Sequence, residues 1–357
     1  MKWYAGLLLL AAGGMVMGGC VSKNADDGAN GPDGAGRATR GAGAAYDSGA
    51  AHHSGAAYDS GAAHLYKSEA SRSAAHASYD RAMELWPAPW VEEWVDTTYG
   101  RTHVVTSGPE DGKPVILLPG LFADATMWYA TVGPVAERYR VHCVDMPVFG
   151  GKSEPSSSAI SDVGDYAAWH RELLTHYGYE TAALAGLSYG SWLSLALARE
   201  NPDRVAAMVL LDPSESFAEM DGGIAWRGFW AFVVFPNRAK YTRFFHWLGG
   251  GYSDPRMDIW FEHMLDVIEH GSVGMFDVPQ HRVYDPEELT MVRMPVLVLA
   301  GGKPILYKDP KALASKAAAA LPHAEIEIVP ETGHSLNVEK AEQVNARLVR
   351  FLDEHYG

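Results

Sequence analysis

The stretch Thr181-Ala-Ala-Leu-Ala-Gly186-Leu-Ser188-Tyr-Gly190-Ser-Trp-Leu-Ser-Leu-Ala-Leu-Ala-Arg-Glu200 decides the fold. Its first residues are small and apolar, as in a buried strand, and Tyr189 to Glu200 is rich in Ala and Leu, the composition of a helix. Gly-Leu-Ser-Tyr-Gly leaves room only for a sharp turn between them. A serine at the tip of such a turn stands clear of the sheet. The turn is crowded, so the residues two before and two after the serine must be small, and Gly186 and Gly190 meet that need. The serine also lies at a helix N-terminus, where backbone N–H groups favour a developing oxyanion. A hydroxyl is a poor nucleophile until a base takes its proton. Ser188 is therefore the candidate nucleophile, against the plainer reading of a Gly-rich turn with a surface serine.

The same alternation repeats on either side. Apolar runs at 115–118, 139–145, 182–186, 205–211, 296–300 and 325–329 read as strands. Segments around 127–138, 163–177, 189–200, 310–321 and 338–355 read as helices. Strands alternating with helices imply an α/β chain with a mostly parallel central sheet and helices on both faces. The alternation breaks between Pro213 and Leu289, where Trp, Phe, Tyr and Met are frequent, and this marks an inserted helical cap at about 214–289.

A chain of this architecture orders its catalytic groups as serine, acid, histidine. Of 15 histidines, His334 fits best, in the loop Pro330-Glu-Thr-Gly-His334 between the last strand and the last helix. The alternative is a surface-loop histidine. Two N–H groups must face the oxyanion. Tyr189, the residue after the serine, supplies one. Leu121, in the loop Pro119-Gly120-Leu121-Phe122, supplies the other, because Gly120 lets the backbone approach closely. Trp128, farther along, reads as packing.

Residues 102–356 together resemble the α/β-hydrolase superfamily, and more narrowly its bacterial carboxylesterase-like members. The resemblance rests on Leu117-Leu-Pro-Gly-Leu-Phe122, Asp145-Met-Pro-Val-Phe-Gly-Gly-Lys-Ser153, Gly186-Leu-Ser-Tyr-Gly190, Val209-Leu-Leu-Asp-Pro213 and Thr332-Gly-His-Ser335. It implies an α/β-hydrolase fold and a serine hydrolase working through an acyl-enzyme, with no organic cofactor and no metal. Pro119 stands where the family often has His, a tolerable change because the loop acts through its backbone. Gly150-Gly-Lys-Ser153 is not a phosphate loop: the Gly such a loop needs five residues before its Lys-adjacent Gly is Met146 here.

The acid departs from the pattern. Most relatives carry it just after the strand that reads 296–300, where this chain has Lys303 and Pro304. Two carboxylates could replace it. Asp212 ends the strand after the nucleophile helix, where some branches of the family carry their acid. Asp309 lies a few residues beyond the usual place, but suits an N-cap before Pro310. Asp212 is favoured, with Asp309 and an acid-free Ser–His pair left open.

The cap contains Trp226, Phe229, Trp230, Phe232, Phe235, Phe244, Phe245, Trp247, Trp260 and Phe261. Most of these read as the cap's own core. A cap over a nucleophile turn also closes an apolar pocket, so the expected substrate is a small-molecule ester with a hydrophobic acyl or alcohol part. Thioesterases, amidases, carbon–carbon bond hydrolases and cofactor-free haloperoxidases use the same serine and are not separable by sequence. A different class of alternative is a catalytically inactive lipoprotein that keeps the pocket for binding.

The formal net charge of −15 argues against a nucleic-acid partner. At the N-terminus, Lys2, the short apolar run from Leu7 to Ala12 and the ending Met17-Gly-Gly-Cys20 read as a signal segment, 1–20, too short to span a bilayer. Its end resembles a lipoprotein cleavage site, which makes Cys20 the expected lipidation site and the bacterial cell envelope the expected location, with a lipid anchor to the membrane; the plainer readings are an ordinary secretory signal or an uncleaved anchor. Residues 21–81 are dominated by Gly, Ala, Ser and Asp, with Gly43–His52 repeated at Gly55–His64, and read as a disordered tether before a domain at 82–357. His52, His53 and His64 sit in that repeat without the geometry a metal needs. Cys143, in an apolar run, reads as a buried free thiol.

Overall fold

The apolar runs of the sequence become the parallel part of one nine-stranded sheet in the computed structural model, which describes residues 65–158, 160–274 and 277–357. The strands are β1 (Trp90–Thr97), β2 (Gly100–Ser107), β3 (Pro114–Leu118), β4 (Arg140–Val144), β5 (Glu154–Pro155), β6 (Ala182–Leu187), β7 (Val205–Leu211), β8 (Val296–Gly301) and β9 (Glu325–Val329). Their order is β1-β2-β4-β3-β6-β7-β8-β9, with β5 paired to β2. All neighbours from β4 to β9 are parallel, so the expected sheet is present. The antiparallel edge formed by β1 and β2 was not among the expected strands. Its tight turn, Thr98-Tyr99, is followed by Gly100 at φ 115°, where a Cβ would lie 2.2 Å from the Glu154 carbonyl oxygen.

The helices are α1 (Glu69–Met83), α2 (Val132–Ala136), α3 (Val163–Tyr177), α4 (Tyr189–Glu200), α5 (Gly222–Phe232), α6 (Arg238–Leu248), α7 (Pro255–His270), α8 (Pro310–Ala320), α9 (Leu336–Glu339) and α10 (Ala341–His355). Helices α5, α6 and α7 make up the cap. The expected helix at 127–138 divides into a 3-10 segment, Ala125–Ala130, and α2, because Pro134 has no N–H to continue an existing helix and fits only the first turn of a new one. The last expected helix likewise divides at Lys340.

Side chains alternate between the two faces of the sheet, and each face has its own core. On β6, Ala182 and Leu184 join Trp169, Leu173 and Trp192 of α3 and α4. Ala183, Ala185 and Leu187 join Val135, Leu348 and Phe351 of α2 and α10 on the other face. Cys143 is a free, buried thiol in that second core, and burial pushes its pKa well up.

The tether boundary is corrected. Residues 65–81 belong to the fold, and Ser68 caps α1 by accepting the Ser71 N–H at 3.1 Å. Ala75, Tyr79, Ala82 and Met83 form a buried stripe at helical spacing, which the overall composition of 21–81 conceals. Tyr66 pairs with Gly271 in an antiparallel bridge, and Lys67 N–H donates to the His270 carbonyl at 3.0 Å. Cys20, the expected signal segment, the rest of the expected tether, His52, His53 and His64 lie outside the described residues. No described helix is long and apolar enough to cross a membrane.

Burial also sets a pH dependence. Burial lowers His142 to about 3 and His76, His170 and His281 to about 4. In the unfolded chain these groups protonate near pH 6.5. As the pH falls below that value, the unfolded state takes up protons that the native state refuses, so stability declines from about pH 6.5 down to about 4. The melting temperature should fall steadily between pH 7 and 5, and a flat profile over that interval contradicts the assignment.

Candidate active site

Parallel strands end their carboxyl termini on one edge of the sheet, and β3, β6, β7 and β9 bring Leu121, Ser188, Asp212 and His334 there. Ser188 follows β6 at φ 56° and ψ −115°, a backbone that a non-glycine residue adopts only under strain. A Cβ at Gly186 would lie 2.2 Å from the Gly190 backbone, and one at Gly190 would lie 2.1 Å from the Leu118 carbonyl oxygen. Both positions therefore require glycine, as the sequence indicates. Ser188 N–H donates to the Leu211 carbonyl at 3.0 Å, which ties the turn to the end of β7.

Asp212 directly follows β7. It is buried, with φ 40°, and its Oδ1 accepts the Gly301 N–H at 3.0 Å. Its Oδ2 lies 2.6 Å from Nδ1 of the buried His334. The carboxylate thus comes from β7, while the end of β8, its more usual source, contributes a backbone donor. Asp309 is exposed, and its Oδ1 accepts the Lys311 N–H at 2.9 Å as the N-cap of α8. Lys303 turns toward the cap, donating to the Gly250 carbonyl at 3.1 Å.

The His334 loop is held from both sides. His334 N–H donates to Leu248 of α6 at 3.0 Å, and Gly333 N–H donates to Glu339 Oε2 at 2.7 Å. Burial raises the Glu339 carboxyl above its ordinary range. Glu339 was not foreseen; its position in the first turn after the loop was the available signal. No hydrogen bond joins Ser188 Oγ and His334 among the described residues; the imidazole's bond is to Asp212.

Tyr189 opens α4 directly after Ser188, and Leu121 lies in the loop after β3; these are the two positions whose N–H groups are expected to face an oxyanion. Gly120, beside Leu121, approaches closely enough that its Cβ would lie 3.7 Å from Ser188 Cβ. The loop is fixed by groups the sequence did not reveal. Gly120 N–H points at Met127 Sδ at 3.2 Å, and Phe122, at φ 63°, stacks on Phe232 of α5 at 5.9 Å between ring centroids. Asp124 accepts from Thr126 and meets His263 Nε2 of α7 at 2.7 Å, while His263 Nδ1 meets Ser78 Oγ of α1 at 2.8 Å. Burial alone would raise the Asp124 carboxyl, but His263 holds it below its ordinary value. Trp128 is fully buried, in keeping with a packing role.

The motif from Asp145 to Ser153 folds onto its own aspartate. Asp145 accepts N–H groups from Ala125 at 2.8 Å and Lys152 at 2.7 Å and meets His103 Nδ1 at 2.7 Å, and a Cβ at Gly151 would lie 2.3 Å from its carboxyl carbon. Among the described residues one cluster brings metal-type ligand atoms within 4.8 Å of each other: Glu325, Glu354 and His355. Glu325 opens β9, at the opposite end of the sheet from Ser188, and already bonds His355 and Arg347. A cleft of about 740 Å³ opens between α6 and the loop after β8, bordered by Trp247, Lys303 and Pro304, without Ser188 or His334 in its wall.

Residues 115–347 match the Alpha/beta hydrolase family. The chain is 27% identical over 294 residues to the uncharacterized carboxylesterase nap of Bacillus subtilis, covering 79% of this chain and 93% of that protein. It is 28% identical over 281 residues to carboxylesterase YbfK of the same organism, covering 78% and 93%. Among solved structures, naproxen esterase from Bacillus subtilis superimposes with a TM-score of 0.71 at 26% identity, covering 80% of this chain and 99% of that one.

Proposed function

Because the chain belongs to the alpha/beta hydrolase family, we propose that it is a serine carboxylesterase that cleaves esters with a hydrophobic acyl or alcohol part. The observation that carries this reading is the 2.6 Å contact between His334 Nδ1 and Asp212 Oδ2 behind the strained Ser188 turn. In the proposed reaction Ser188 Oγ attacks the ester carbonyl while His334 Nε2 takes its proton. Asp212 keeps the other imidazole proton on Nδ1 and stabilises the imidazolium. The tetrahedral oxyanion sits between the N–H groups of Leu121 and Tyr189. The alcohol leaves with the proton from His334, and water, activated by the same imidazole, releases the acid from the acyl-enzyme.

The esterase names of the Bacillus relatives support the ester as substrate class. The rings of Phe122, Phe232 and Phe245, which run from the oxyanion loop into the cap, support a hydrophobic substituent. The sequence ending in Cys20 supports a lipid anchor and a place in the cell envelope, with the tether between anchor and enzyme.

A series of p-nitrophenyl esters on the full chain carrying Cys20→Ser tests the reading. Rates should rise by about fourfold per methylene while the pocket still buries it, the equivalent of ~0.8 kcal/mol. A fluorophosphonate should label the protein and fail to label Ser188→Ala. A folded protein that neither turns over these esters nor takes the label is a binding lipoprotein, and the proposal fails.

A further inference from the structure

Helix α5 buries Gly228 and Ala231 and turns its largest side chains outward. Trp226, Trp230 and Val233, spaced i, i+4 and i+7, are 60%, 46% and 44% exposed. Phe235, in the turn that follows, is 85% exposed on a backbone at φ 48°. Trp is rarely so exposed, and a bulky residue at positive φ is strained. The rings of the ridge touch: Trp226 meets Trp230 at 5.7 Å and Phe229 at 6.0 Å between ring centroids. Most of the cap aromatics read as the cap's own core, and these three rings lie outside it.

The segment that carries the ridge is basic in sequence. Residues 222–253 contain no Asp or Glu and four basic residues, Arg227, Arg238, Lys240 and Arg243, in a chain of net charge −15. Arg238 is committed to Glu262, Asp266 and Glu269 of α7. Arg227, Lys240 and Arg243 have no carboxylate partner among the described residues. The Lys240 ammonium donates to the Val234 carbonyl. The Arg227 guanidinium lies 4.5 Å over the Trp247 ring, and Arg243 is one turn before Trp247 on α6, so the two arginines flank the same ring.

We infer that α5 and the turn after it form a docking surface for an anionic lipid bilayer. Trp226, Trp230 and Phe235 enter the boundary between headgroups and acyl chains, where amphipathic rings are favoured, and Arg227 and Arg243 face the phosphates. A second copy of the chain fits less well. A two-fold interface would set this patch against itself and bring Arg227 and Arg243 against their own equivalents. The inference goes beyond the proposed reaction and does not depend on the chemistry at Ser188.

The test is sedimentation of the full chain with vesicles. Every protein carries Cys20→Ser, so the N-terminal stretch contributes equally throughout. The parent should bind vesicles of phosphatidylglycerol and phosphatidylethanolamine more tightly than vesicles of phosphatidylcholine. Trp226→Ser/Trp230→Ser/Phe235→Ser and, separately, Arg227→Glu/Arg243→Glu should each weaken binding to the anionic vesicles by about tenfold or more. Brominated acyl chains should quench the parent's tryptophan fluorescence, and the triple variant should lose that quenching. Melting curves equal to the parent's establish folding; if the triple variant does not fold, the charge pair decides alone. Unchanged binding in the variants overturns the inference. So does a parent dimer that the triple variant dissociates without any vesicle binding, or a Trp226 and Trp230 already shielded from aqueous acrylamide by the rest of the chain.

Discussion

Replacing Asp212 with Asn is expected to lower kcat for a p-nitrophenyl ester by about 10³–10⁴-fold with little change in KM, while Asp309→Asn leaves both within about twofold. The asymmetry follows from what each carboxylate touches. Asp212 Oδ1 accepts the Gly301 N–H at 3.0 Å and Oδ2 faces His334 Nδ1 at 2.6 Å. An asparagine in that buried position keeps its oxygen on Gly301 and turns its amide N–H₂ toward the imidazole. Nδ1 must then accept, the ring proton moves to Nε2, and the atom that should take the Ser188 proton is blocked. Binding is untouched, so the loss falls on kcat. Asp309 is an exposed N-cap, a position that Asn fills almost as well. Steady-state kinetics on the two variants, with melting curves to establish folding, decide the matter. A collapse in D309N with D212N unchanged transfers the acid to Asp309, and no effect in either leaves a Ser–His pair working without one.

The contrast between Ser188 and Asp212 shows which parts of the site a sequence carries. The nucleophile turn is local: its two glycines, its strand and its helix lie within twenty residues, and the steric demand that selects Gly186 and Gly190 acts between immediate neighbours. His334 is legible because it occupies a turn between a recognisable strand and the last helix. The Asp212–His334 contact joins residues 122 apart, and periodicity says nothing about which of two carboxylates the imidazole meets. The same holds for the Ser78–His263–Asp124 chain, which joins three separate elements and leaves no pattern in any of them. The β1–β2 edge was missed for a different reason: Trp90–Thr97 carries charged residues within its run, as a strand at the sheet edge does, and so lacks the continuous apolar character of the buried parallel strands. In the cap, aromatic composition alone gave no direction, so the outward Trp226 and Trp230 could not be told from inward rings.

A chain beginning at Ala82 is expected to be largely unfolded or insoluble, whereas one beginning at Leu65 should melt within a few degrees of the full-length protein. The sequence places the domain start at Ala82, and the structure argues against cutting there. Removing 65–81 takes away Tyr79, which is fully buried against His103 and His263, with ring centroids 5.7 Å and 5.5 Å away. It takes away Tyr66, whose hydroxyl donates to the Gly151 carbonyl at 2.7 Å, and Ser78, the partner of His263 Nδ1. Loss of a large buried side chain costs about 3–5 kcal/mol, so two tyrosines alone account for roughly 6 kcal/mol or more. Domains of this kind are stable by only about 5–15 kcal/mol. The damage would also reach the reaction centre. His263, freed from Ser78, is the group that holds Asp124, and Asp124 anchors the loop carrying Leu121. Circular dichroism melts of the two truncated chains read the first effect, and ester turnover in any folded remainder reads the second. If the Ala82 chain melts like the Leu65 chain and keeps its turnover, α1 is an appendage. If it collapses, α1 belongs to the hydrolase fold and any tether must end before Leu65.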